Sequence, residues 1–101
     1  MEALSQRRVI DRLHHARHFF AQHDEEYSHV RMCFENAIEL RADAGVYYAV
    51  PHSDGEVEEC LGFKIDTEVV MGPDRLEFYN LDEQRWIVSI LLKGQIDYVR
   101  R

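Results

Sequence analysis

Five of the six histidines, His14, His15, His18, His23 and His29, fall within sixteen residues, together with Asp24, Glu25, Glu26 and Cys33. Imidazole nitrogens, thiolates and carboxylates at such density are the donor set of a transition-metal site. On a helix His14 and His18 would be one turn apart, as would His29 and Cys33, so each pair could offer two donors to one ion. A metal-binding or metal-sensing homodimer using His14, His18, His23, His29 and Cys33 is therefore one reading of the chain. The other reading leaves His14, His15 and His18 on a solvated helix face beside Arg7, Arg8, Arg12 and Arg17.

Other chemistries find less in the residues. Cys60 sits between Glu59 and Leu61 in a run of carboxylates, whose negative charge disfavours the thiolate that a nucleophile needs. The chain has no Gly-x-Ser-x-Gly, no glycine-rich phosphate loop and no Cys-x-x-Cys. The expectation is a protein without catalysis and without a cofactor.

Charge suggests recognition instead. Nineteen acidic against twelve basic residues give a net charge of −7. That balance argues against direct nucleic-acid binding, which is driven by Lys and Arg on phosphates, and in favour of a partner protein with a basic surface. Asp54, Glu56, Glu58 and Glu59 form the densest acidic segment, on an expected exposed turn, and are the candidate partner-binding residues. Small acidic inhibitor, immunity, anti-defence and accessory proteins share this size and charge. No apolar run reaches the roughly 18 to 20 residues that span a bilayer. The amino terminus lacks the apolar core of a secretory signal, so a cytoplasmic location with reduced thiols is expected.

The elements that must position these residues change character near residue 45. All five glycines and both prolines lie in Gly45–Arg101. Before that point, Val9, Leu13, Ala16, Phe20, Tyr27, Val30, Phe34 and Ala37 keep a heptad register that predicts helix over about residues 3–43. Two arrangements fit: one continuous helix ending at Gly45, or a hairpin of two helices with Asp24 as the second N-cap. A continuous helix would leave Leu13, Phe20, His23, Tyr27 and Phe34 as a stripe for homodimerisation, with His23 as a polar register residue.

Beyond Gly45, strands are expected over 46–50, ending at Pro51, and then along Leu61, Phe63 and Ile65 with a continuation at 69–71. A turn at Gly72–Pro73–Asp74 precedes a strand around Leu76 and Phe78. Residues 82–93 fit either period, and the β-branched Ile87, Val88 and Ile90 favour strand. Lys93–Gly94 then turns into a last strand over 95–99. The fold class expected is α+β: one or two N-terminal helices packed on a mostly antiparallel sheet of four or five strands, in one domain spanning 1–101.

Overall fold

A computed structural model describes residues 8–43, 48–52, 55–68 and 70–100. It is an α+β structure in which two helices pack on one seven-stranded sheet. The elements in chain order are α1 (Val9–Gln22), β1 (Tyr27–Cys33), α2 (Phe34–Asp43), β2 (Tyr48–His52), β3 (Gly55–Cys60), β4 (Phe63–Glu68), β5 (Arg75–Asn80), β6 (Arg85–Leu92) and β7 (Gln95–Arg100). The sheet order is β2-β3-β4-β1-β5-β6-β7, antiparallel except that β1 runs parallel to β4.

Helix α1 follows from its stripe, since Val9, Leu13, Ala16 and Phe20 are all buried. Arg8 gives it no side-chain cap. The amide of Val9 instead donates to Glu39 Oε2 of α2 at 2.6 Å, placing a carboxylate at the positive helix end. The helix stops in a Schellman arrangement: Glu25 N donates to Phe20 O and Asp24 N to Ala21 O, with Asp24 left-handed at φ 55°. Asp24 therefore ends a helix where the sequence had suggested that it begins one.

Neither the continuous helix nor the helical hairpin expected over 3–43 forms among the described residues 8–43. Tyr27–Cys33 is a strand, and the register that ran on through Tyr27 and Val30 is a coincidence of spacing. In β1 the period is two, with Val30 and Met32 both buried on the helix side. An irregularity in the β1–β5 pairing between Tyr27 and Val30 shifts the alternation. It brings the Tyr27 ring onto Phe20, with centroids 3.4 Å apart. Gly45, the expected helix stop, lies outside the described residues, and α2 ends at Asp43.

The carboxy-terminal half is richer in strand than expected. Pro51 lies within edge strand β2 instead of ending it, and Gly55–Cys60 is strand β3 instead of a polar turn. An edge is where a residue without an amide proton is tolerated. Leu61 and Gly62, at φ 53° and 86°, form the two-residue turn between β3 and β4, and Val70–Met71 continue no strand. Lys93 and Gly94, at φ 52° and 79°, make the same mirror-image turn between β6 and β7. The expected turn at Gly72–Pro73–Asp74 and the strands around Leu76 and Phe78 and over 95–99 form, while of the segment 82–93 only Arg85–Leu92 is strand and its first three residues are turn.

The core lies between the helices and one sheet face. Leu13, Ala16 and Phe20 of α1 and Ala37 and Leu40 of α2 meet Val30, Met32, Phe63, Ile65, Leu76 and Phe78. At roughly 1.5–3 kcal/mol for each large apolar side chain buried, this layer is the main stabilising term. Polar residues are buried with it, Arg12 and Asn36 among them. Arg12, expected on the solvated side, donates to Pro73 O at 2.9 Å and Asp74 O at 2.8 Å, while Asn36 Nδ2 donates to Pro73 O at 2.9 Å. Together they tie the β4–β5 turn to both helices.

Candidate functional site

Antiparallel register assigns the residues of the sheet face opposite the helices. In β5 that face carries Arg75, Glu77 and Tyr79, because Leu76, Phe78 and Asn80 are buried on the other. In β6 it carries Trp86, Val88, Ile90 and Leu92, paired as Tyr79↔Trp86, Glu77↔Val88 and Arg75↔Ile90. From β1 comes Arg31, opposite Glu77.

These side chains form a connected polar cluster. Arg31 Nη1 donates to Glu77 Oε1 at 3.1 Å, and Arg75 Nε donates to Glu77 Oε2 at 2.8 Å. The Arg31 guanidinium also lies over the Trp86 ring, 3.7 Å from its centroid, and Tyr79 meets the same indole edge-on. Glu77 is only 8% exposed. Two guanidiniums converge on one buried carboxylate, with Asp66 opposite Arg31 in the β1–β4 register on the same face. A groove of about 320 Å³ runs beside them, lined by Arg31, Arg75, Glu77, Glu68, Val70 and Met71.

A second groove, of about 350 Å³, opens on the helix side between the end of α1 and the β3–β4 turn, lined by Arg17, Phe20, Glu25, Tyr27, Leu61 and Phe63. Its polar rim is held by Asn80, fully buried at the end of β5. Asn80 Nδ2 donates to Glu25 Oε2 at 2.9 Å and to Tyr27 OH at 3.4 Å, while its Oδ1 accepts from the amides of Asp82 and Glu83. One side chain thus shapes both the β5–β6 turn and the groove wall.

The residues singled out from the sequence are dispersed. His14, His18 and His23 are exposed on or just past α1, whereas His29 lies half-buried in β1, with its Nδ1 2.7 Å from Ser28 Oγ. Cys33 is buried, and its Sγ accepts from Asn36 N at 3.4 Å. Among the described residues no three His, Cys, Asp or Glu side chains are grouped to hold a metal ion. The helical spacing that would have joined His29 to Cys33 is lost because both lie in a strand.

The five residues of the expected dimer stripe do not share a surface. Leu13 and Phe20 are core, Tyr27 is stacked on Phe20, His23 is exposed past α1, and Phe34 is 58% exposed on α2. Asp54 lies outside the described residues. Glu56, Glu58 and Glu59 occupy β3, opposite Pro51, Ala49 and Tyr48, instead of a turn. Glu59 also pairs with Lys64 of β4.

Burial governs the main perturbed groups. Desolvation lowers the Arg12 pKa and raises those of the Cys60 thiol and the Tyr98 phenol. A buried thiol pushed away from the thiolate is a packing residue. On the surface, the Arg8 guanidinium bonds Asp43 at 2.7 Å, which holds that carboxyl below its ordinary range. Ser28 and His29 line neither groove, and the contact between them runs within one strand segment.

No protein-family model, no curated protein and no solved structure matches the chain. No helix among the described residues is long and apolar enough to cross a membrane. Arg31, Arg75 and Glu77 escaped the sequence reading because their convergence requires β1 to be a strand. The spacing Arg75-x-Glu77 was the available signal, since residues two apart share a strand face.

Proposed function

We propose that the protein is a non-catalytic binding module that covers a basic surface on a partner protein, using the acidic half of its sheet. One observation carries this reading: β3 holds Glu56, Glu58 and Glu59, and the neighbouring β4 holds Asp66 and Glu68, against Lys64 as the single basic residue of the two strands. Asp66 and Glu68 are exposed. Five carboxylate positions on adjacent strands create a negative field that speeds encounter with a cationic surface and discriminates against acidic ones. Two buried, unpaired thiols suit a reducing cytosol.

The test uses a partner trapped by cross-linking in cells and then purified. Replacing Glu56, Glu58 and Glu59 together by Lys is expected to slow its association at least tenfold at low salt and to flatten the salt dependence of that rate. An association rate unchanged by the triple reversal would refute the assignment of this surface.

A further inference from the structure

The groove between the end of α1 and the β3–β4 turn combines aromatic walls with two opposite charges. Phe20 and Phe63 line it at 4% exposure each, with half-buried Tyr27 and Leu61 beside them. Arg17 is exposed on α1 and makes no ion pair among the described residues. Glu25 is held by Asn80 at 2.9 Å, but Asn80 is neutral and leaves the carboxylate its charge. Asn80 is itself fully buried, and its one amide nitrogen bonds both Glu25 Oε2 and Tyr27 OH. The anionic side of the groove and its aromatic wall are therefore set before anything binds. We propose that this groove binds a small zwitterion with an apolar body, a free amino acid or a short peptide, with its carboxylate on Arg17 and its ammonium on Glu25.

Charge complementarity selects this class. A ligand of one sign is attracted by one of the two side chains and repelled by the other, whereas a zwitterion satisfies both. The planar guanidinium of Arg17 suits a carboxylate in a two-pronged contact. An ammonium at Glu25 gains the carboxylate and the neighbouring Tyr27 ring together. Phe20, Tyr27 and Phe63 supply ring surface for an apolar body, best an aromatic one. A volume of about 350 Å³ lies at the small end of the roughly 300–1,000 Å³ range of ligand pockets, which fits a molecule of this size. The site shares no residue with the acidic β3 and β4 positions, so it does not depend on the reading given to them.

The experiment is a titration of the whole chain, labelled with ¹⁵N, followed by the amide shifts of Ala21, Gly62 and Phe63. L-Phenylalanine is expected to saturate these shifts with Kd on the order of 1 mM, as ligand efficiencies allow for about a dozen non-hydrogen atoms. Phenylalanine amide lacks the carboxylate and N-acetylphenylalanine lacks the ammonium; each should bind about fivefold more weakly, the loss of one partly exposed ion pair. Arg17→Gln should bind phenylalanine and its amide alike, and Glu25→Gln should bind phenylalanine and its N-acetyl form alike. Gln at position 25 keeps an acceptor for Asn80, and circular dichroism verifies each fold. Glycylphenylalanine, whose charges stand farther apart, separates the two sources: tighter binding than phenylalanine assigns the groove to peptides, weaker binding to free amino acids. No saturable shift up to about 20 mM, capped forms that bind as well as the zwitterion, or folded variants that discriminate as the wild type does would each overturn the proposal.

Discussion

Asn80→Asp is nearly isosteric and changes one thing: the group facing Glu25 turns from a donor into a carboxylate. Asn80 is fully buried, and its amide nitrogen sits 2.9 Å from Glu25 Oε2. The two turn amides of Asp82 and Glu83 keep their acceptor in the variant. At neutral pH, however, two carboxylates would meet at hydrogen-bond distance. Unit charges about 4 Å apart repel by about 4 kcal/mol at an effective dielectric of ~20. Glu25 is partly exposed, which reduces this to about 2–3 kcal/mol. The pair is relieved by sharing one proton, so one carboxyl titrates above its unfolded value near 4.

The sign follows from linkage. A folded pKa raised above the unfolded one supports stability below the unfolded value and withdraws it as pH rises through the folded value. Asn80→Asp should therefore be close to wild type near pH 4 and 2–3 kcal/mol less stable at pH 7.5, roughly a 10–20 °C drop in Tm for a domain of this size. Urea unfolding followed by Trp86 fluorescence at several pH values measures it. Glu25→Gln added to Asn80→Asp swaps donor and acceptor and should return most of the loss at pH 7.5. A deficit independent of pH, or no recovery in the double variant, would refute the role assigned to the Glu25–Asn80 contact.

Two further substitutions test the polar core and a turn. Arg12→Met should change stability by less than about 1 kcal/mol, because the desolvated charge and its unpaired Nε disappear while Pro73 O keeps Asn36 and Asp74 O keeps the Leu91 amide; Arg12→Ala, which leaves a cavity, should cost about 3 kcal/mol. Lys93→Asn is expected to add about 0.5–1 kcal/mol in thermal or urea unfolding, since Lys93 is exposed, sits at φ 52°, and is followed by Gly94 in a turn that prefers Asn-Gly.

The strands that could be read from the sequence are those whose pairing is local. Gly72–Pro73–Asp74 marks the start of β5 and Lys93–Gly94 joins β6 to β7, whereas the β5–β6 turn at 81–84 carries no such signal; a meander needs only neighbouring segments to agree. Strand β1 is the opposite case. It is central, flanked by β4 in parallel and β5 antiparallel, and both neighbours come more than thirty residues later in the chain. Its seven residues hold one β-branched side chain, Val30, while Tyr27 and Val30 extend the 3–4 spacing of α1. What overrides that spacing is Asp24 in the left-handed region, a conformation Asp tolerates better than most residues. The same residue type signals an N-cap, so composition could not separate the two.

That single error carried the candidate sites with it. On a helix, His29 and Cys33 are neighbours and Arg31 is remote from Glu77; on a strand, Arg31 comes to Glu77 at 3.1 Å and His29 stands two pleats from Cys33. The acidic segment proves to be strand and not turn: Glu56, Glu58 and Glu59 lie in β3, and Glu59, opposite Lys64, shares a sheet face with Asp66 and Glu68. The stripe expected to join two copies is lost in the same way: Leu13 and Phe20 are buried in the core, and Tyr27 stacks on Phe20 within one chain.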